Sequence, residues 1–247
     1  MDKLLFVAMS GAKQAFQSQA INTQNLANVN TSGFKEDFAA FRSLLLKGDG
    51  YQTRAYPILS GNGVNYSEGA LVSTGRDLDM AIDGDGFIAV QGENRQEAFT
   101  REGSMRILPS GILVTARGKP VLGNNGGPVA IPPHDDIEIG SDGTISIVPT
   151  GQDPTALAVV DRIKLVKPGV DSLEKRSDGL FYQKNSEIQS PDASVKIMSG
   201  FLESSNVNSI DAMVKMIEQA RLFEMDIKMM HTAQEMDTKS SELLRIS

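Results

Sequence analysis

The chain has no cysteine and no tryptophan. Without cysteine it can form no disulfide and no thiolate metal site, and thiol nucleophiles are excluded. Histidine is nearly absent as well. His134 and His231 stand far apart, too sparse for a histidine-based metal cluster. His134, in PPHDD, reads as a loop residue, and His231, among methionines, reads as a core or interface residue. None of the strings GxSxG, HExxH, GxxxxGK[ST] or GxGxxG occurs, so no nucleophile elbow, zinc-protease helix or phosphate loop is written into the chain. The longest apolar run near the start, Leu4 to Met9, falls far short of the ~20 residues that a bilayer requires. Basic residues are not in excess. The net charge of -7 disfavours a dedicated nucleic-acid binder, which would carry a basic face. The expectation is a protein that is no enzyme. It should have no catalytic residue, metal, cofactor or small-molecule substrate, should bind no nucleic acid and should not span a membrane.

Proline is missing from both ends. All ten prolines lie between Pro57 and Pro191, and no glycine follows Gly200. Nothing therefore breaks a helix after Phe201. Asn208 is placed to cap it, with Asp211 three residues on, in the manner of a capping box. Asp211/Lys215, Glu224/Lys228 and Glu235/Lys239 are acid-to-base pairs one turn apart. Ile210, Val214, Ile217, Ala220, Phe223, Ile227 and Met230 recur at helical spacing, while Met213, Met216, Leu222, Met225 and Met229 occupy other faces. A helix that is apolar on several faces needs neighbours on several faces. At the other end, Leu5, Met9, Ala12, Phe16, Ala20, Thr23 and Ala27 also step by three or four. This predicts a helix ending near Val29, with Gly33 closing the turn.

The middle is a different material, with short apolar runs between turn dipeptides. Asp79–Ile82 and Phe87–Gln91 flank Asp83-Gly84-Asp85-Gly86, a candidate hairpin turn. Asp77, Asp79, Asp83 and Asp85 suggest calcium, but Ala81 and Phe87 stand where an EF-hand loop needs oxygen ligands. The expected fold class is α + β. In it a discontinuous domain of long, coiled-coil-like N- and C-terminal helices (1–34 plus 200–247) brackets an all-β middle domain (80–190), which should fold alone. Residues 35–79 are expected as a short helix and extended linker, and 191–199 as a return linker. Such a chain suits a subunit whose helical ends pack against neighbours.

Ser10-Gly11-Ala12 followed by TQNLANVNTSGFK (Thr23–Lys35), and GFLESSNVNSIDAMVKMIEQARLFEMDIK (Gly200–Lys228), resemble the N- and C-terminal signatures of bacterial flagellar rod and hook (axial) proteins. STGRDLDMAIDGDGFIAV (Ser73–Val90) and FTREGSMRILPSGILVTARGKPVLG (Phe99–Gly123) resemble the core strings of the longer members. The opening MDKLLFVAMSGAKQA resembles a proximal-rod member. A distal-rod protein is the alternative, and a β-type carbohydrate-binding module is an alternative of another class.

The resemblance implies a structural subunit of the basal-body rod, exported without a cleaved signal peptide by the flagellar export apparatus. It would polymerise in the periplasm with copies of itself and other rod proteins. The assembly residues it implies are, at the N-terminal end, Leu5, Met9, Ala12, Phe16, Asn25, Leu26, Asn28, Asn30, Gly33 and Phe34. At the C-terminal end they are Asn206, Asn208, Ile210, Val214, Ile217, Phe223, Ile227 and Met230.

Overall fold

A computed structural model describes residues 3–45, 55–153, 156–185 and 187–246. The chain divides into two compact units. The first gathers residues 1–29, 36–65 and 207–247, so it draws on both ends. It contains helix α1 (Lys3–Ala27), strands β1 (Asp37–Leu45) and β2 (Ala55–Val64), and helix α2 (Ser209–Ile246). Asn208 caps α2 as its sequence predicts, its Oδ1 accepting from the backbone N–H of Ile210 (3.0 Å) and of Asp211 (3.4 Å). β1 and β2 pair antiparallel, from Asp37 opposite Val64 to Leu45 opposite Ala55.

Two expectations are corrected in this unit. The stretch after Lys35 is not a short helix. Residues 37–45 form a strand, because DFAAFRSLL pairs with a partner and β-pairing overrides the weak helical preference of its alanines. The GDG expected to end that helix lies outside the described residues. The coiled-coil-like reading also fails. α1 and α2 do pack together, but the buried residues are small, namely Ala8, Ala12, Ala15, Ala212 and Ala233. Large apolar residues such as Ile210, Val214 and Ile217 stay exposed. A coiled coil needs large apolar knobs repeating along a seam, and among the described residues the buried positions of these helices form no such seam. The fold is two helices and a hairpin in one unit, with a β-rich second unit.

That second unit comprises residues 30–35 and 66–206. It is therefore wider than the 80–190 expected for the middle domain. Its strands are β3 (Leu71–Ser73), β4 (Met80–Asp83), β5 (Phe87–Gln91), β6 (Glu97–Thr100), β7 (Met105–Ile107), β8 (Leu113–Thr115), β9 (His134–Ile139), β10 (Thr144–Pro149), β11 (Ala158–Arg162), β12 (Leu165–Val166), β13 (Leu173–Lys175), β14 (Phe181–Gln183), β15 (Lys196–Ser199) and β16 (Phe201–Glu203). A five-stranded sheet has the order β12-β5-β6-β14-β13 and a three-stranded one β11-β10-β9. Two-stranded pairs join β15 to β4, β16 to β3, and β7 to β8. The core draws Met80 and Ile82 from β4, Ile88 and Val90 from β5, Ile145 and Ile147 from β10, and Val195 and Ile197 from the β15 segment.

The Asp83–Gly86 tetrapeptide is not a hairpin. β4 pairs with β15 and β5 with β6 and β12, so the turn carries the chain from one sheet to another. Gly84 and Gly86 take positive φ, 81° and 147°, which allows that sharp passage.

Candidate functional site

In the helical unit, the contact between helices is close because the residues at it are small. A Cβ built on Gly11 would lie 2.8 Å from Asp226 Oδ2, so the Asp226 carboxylate sits directly on the α1 backbone. Burial holds the pKa of Asp226 above the ordinary carboxylate value. Asn22 Nδ2 donates to the Ala212 carbonyl at 2.6 Å. Asn25 makes a two-point clamp, its Nδ2 donating to the Asp37 carbonyl (2.7 Å) and its Oδ1 accepting from the Asp37 N–H (2.9 Å). That side-chain amide imitates a strand partner and fixes where β1 leaves α1. Lys215 bonds Glu36 at 3.5 Å rather than Asp211. His231 is exposed and lies 3.4 Å from Glu235, so it is not a core residue of this chain. His134 opens β9, with Nδ1 2.9 Å from the Pro132 carbonyl oxygen.

The large apolar side chains face the other way. Met9 and Phe16 on α1, and Ile210, Val214, Ile217 and Ile227 on α2, are exposed. Met213, Leu222, Met225, Met229 and Met236 join them. Leu5, Leu26, Phe223 and Met230 are half-buried, Asn28 is half-buried and Asn30 and Asn208 are exposed. Ala12, Asn25, Gly33 and Phe34 are buried and make their contacts within the chain. Asn206 is half-buried, and its Nδ2 donates to the Ser67 carbonyl at 3.0 Å.

Sequence reasoning missed an ion cluster within the β-rich unit. Lys35, Arg101 and Glu203 have side chains 1%, 4% and 2% exposed. Glu203 Oε1 accepts from Lys35 Nζ at 2.6 Å and from the Gly69 N–H at 2.8 Å, while Oε2 accepts from Arg101 Nη1 at 3.0 Å. Lys35 Nζ also donates to the Ser67 carbonyl (2.7 Å), and Arg101 Nη2 to the Gly84 carbonyl (2.8 Å). The Arg101 guanidinium lies 5.4 Å from the centroid of the Phe87 ring, which itself packs against Tyr66 and Phe181. Next to it, Lys175 Nζ sits 3.9 Å over the Phe34 ring and donates to the Lys35 carbonyl at 2.8 Å. Two cations share one buried carboxylate, and burial lowers the Lys35 pKa against the opposing pull of Glu203. Gly33 makes the approach possible. It holds φ 66°, and a Cβ there would fall 2.2 Å from the Arg101 carbonyl carbon. Both strings that carry the terminal signatures contribute, one through Lys35 and the other through Glu203.

Three family descriptions match the chain. Residues 5–35 match the flagella basal body rod protein family, 81–147 the flagellar hook protein FlgE/F/G D1 domain, and 198–243 the flagellar basal body rod FlgEFG protein C-terminal family. Over the full length of both chains it is 37% identical to flagellar basal-body rod protein FlgF of Salmonella typhimurium and 37% identical to that of Escherichia coli. The chain belongs to the flagellar basal-body rod protein family. It is FlgF-like, and a structural subunit of the basal-body rod. Flagellar basal-body rod protein FlgG of Bacillus subtilis is 32% identical over 95% of this chain and 96% of its own. Lys35, Arg101 and Glu203 fall one in each of the three matched segments. The buried cluster thus ties together the three stretches that define a rod protein of this kind. Among the described residues no helix is long and apolar enough to cross a membrane, and no group of three or more His, Asp or Glu could hold a metal ion.

Proposed function

We propose that this rod subunit polymerises through the exposed faces of α1 and α2, packing against copies of itself and other flagellar rod proteins. The observation that carries this reading is the apolar surface on α2. Ile210 is 71% exposed, Ile217 56% and Met236 62%, with methionine, leucine and valine side chains between them. Buried apolar surface stabilises an assembly by roughly 25 cal/mol per Å², and Met-rich faces adapt to neighbours of differing shape. Of the residues set out above for the two ends, Met9, Phe16, Ile210, Val214, Ile217 and Ile227 are the proposed contacts already presented outward.

In the same reading, the subunit is delivered by the flagellar export apparatus and takes its place in the periplasm. There the packed terminal helices form the wall around the export channel and the shaft that transmits torque. Ile217→Asp tests it. A charge buried without a partner is expensive, so the variant should be absent from isolated basal bodies and the strain non-motile, with the melting of the β-rich unit unchanged. Normal incorporation of Ile217→Asp would refute the assignment of this face.

A further inference from the structure

β5 and β6 are joined by a turn, Glu93-Asn94-Arg95-Gln96, closed by the Gln96 N–H donating to the Glu93 carbonyl at 3.1 Å. Asn94 and Arg95 both hold left-handed backbone, with φ 55° and 59°, the positive-φ non-glycine residues among those described. Asparagine tolerates that region and glycine favours it, but a long side chain with a Cβ is strained there. Strain of this kind points to a side chain kept for use.

Arg95 lines a cavity of about 290 Å³ in the β-rich unit. Arg176 lines it too. Its guanidinium lies 4.1 Å over the Tyr182 ring and its Nη1 donates to Gln96 Oε1 at 3.4 Å, so the fork is held in place before any ligand arrives. Lys164 and Glu97 in the lining neutralise each other at 2.5 Å. What remains is two guanidinia, with no carboxylate paired to either among the described residues, against the single exposed acid Glu187. Ile188, 81% exposed, stands at the rim as an apolar contact.

The same unit carries the complementary surface. β9 is the outermost strand of its sheet. Ile137 and Ile139 turn inward along it, so Asp136 and Glu138 share the outer face, opposite Val148 and Ser146 of β10. Two residues apart on a strand, their carboxylates stand about 7 Å from each other. Both are exposed, and neither is ion-paired among the described residues.

We infer that the cavity is a docking site for a second copy of this chain, with Arg95 and Arg176 of one copy receiving Asp136 and Glu138 of the next. The inference rests on the rod-assembly reading above and adds a contact between β-rich units. Guanidinium–carboxylate pairs form bidentate, directional bonds, which suit the setting of register between subunits. Donor and acceptor surfaces differ, so the contact is head-to-tail and can repeat along an open assembly.

The full-length chain tests this directly, because it has no cysteine. Arg95→Cys and Glu138→Cys chains are mixed under assembly conditions and oxidised. Cross-linked dimer should form in the mixture well above either variant alone. Arg95→Gly supplies an independent reading. It should raise Tm, by relieving the turn, while weakening self-association about tenfold, a change that disappears at high salt. A purely structural role for Arg95 would not separate the two. Assemblies that form without the mixed cross-link overturn this inference and leave the helical reading standing, as does Arg95→Gly associating like the parent. A chain that never self-associates overturns both.

Discussion

Glu203 is the anion that both buried cations bond, and that asymmetry sets a sharp prediction. Glu203→Gln keeps the shape of the side chain and removes its charge. Lys35 and Arg101, 1% and 4% exposed, would then face each other without the carboxylate that both bond. Breaking a buried ion pair from one side costs about 3–5 kcal/mol, because the remaining charge stays desolvated. Lys35→Met is the opposite experiment. It removes one cation, leaves Arg101 and the Gly69 N–H on Glu203, and puts an apolar chain of similar length in the site. Its losses are the bonds of Lys35 Nζ to the Ser67 carbonyl and to Glu203 Oε1, the first about 1 kcal/mol net, set against the relief of burying a second positive charge while Glu203 keeps a cation in Arg101. The lowered pKa of Lys35, caused first by its burial, agrees in sign. The site holds the charged lysine less readily than water does. Denaturant unfolding, followed by the near-ultraviolet signal of the tyrosines, should show Glu203→Gln less stable than Lys35→Met by about 2 kcal/mol or more, with unchanged m. Equal losses, or a larger one for Lys35→Met, would refute the view that charge imbalance governs this cluster.

Burial raises the pKa of Glu102 while Arg117 and Thr115 oppose it. A carboxyl raised on folding contributes stability that is full below its unfolded pKa and lost as pH rises through the folded one. Glu102→Gln should therefore raise Tm at neutral pH and flatten its fall with pH, and an unchanged slope would count against this. Tyr182 is pushed up to about 12 by burial and by its bond to Asp178, its hydroxyl donating to Asp178 Oδ2 at 2.6 Å. Its stabilising contribution is complete below the ordinary tyrosine value near 10 and is lost on the way to 12. The last phenolate should appear together with unfolding, and Tyr182→Phe should abolish that late step in an alkaline absorbance titration. A fragment of residues 80–190 lacks β15, with Val195 and Ile197 of the core, and so should melt broadly, whereas residues 66–206 should melt as one transition by calorimetry.

What could be read from the residues alone was local. The helical ends follow from the absence of proline and from apolar residues at helical spacing, the start of α2 from Asn208, and the tight turn from Gly33. Most strands of the second unit sit where apolar runs lie between turn residues. Pairing was not legible, because it is not local. Asp83-Gly84-Asp85-Gly86 has hairpin composition, yet the partner of β4 is β15, with Asp83 opposite Lys196. The ion cluster was hidden for a similar reason. Lys35, Arg101 and Glu203 are residue types that normally lie at the surface, and 168 residues separate the two ends of the Lys35–Glu203 bond. One clue was present. Lys35 follows Gly-Phe and Glu203 follows Gly-Phe-Leu, so each charge ends an apolar string that has no polar face to carry it.

The use of small residues between α1 and α2 has an energetic consequence. Burying Ala8, Ala12, Ala15, Ala212 and Ala233 removes little apolar surface per residue, since an alanine contributes a single methyl group at about 0.8 kcal/mol per buried carbon. Ordering the backbone opposes this by roughly 1–2 kcal/mol per residue. Close packing of backbones and the bonds of Asn22 and Asn25 fix the geometry, but they are few for a helix of 38 residues. The larger source of stabilisation, in the leucine, isoleucine and methionine side chains, is directed outward. Substituting large residues for the alanines would bury more surface within one chain. It would also push the helices apart and move every outward side chain from its place. An interface of small residues therefore sets the spacing of the helices, and leaves the burial that would hold α2 firmly to whatever covers its outer face.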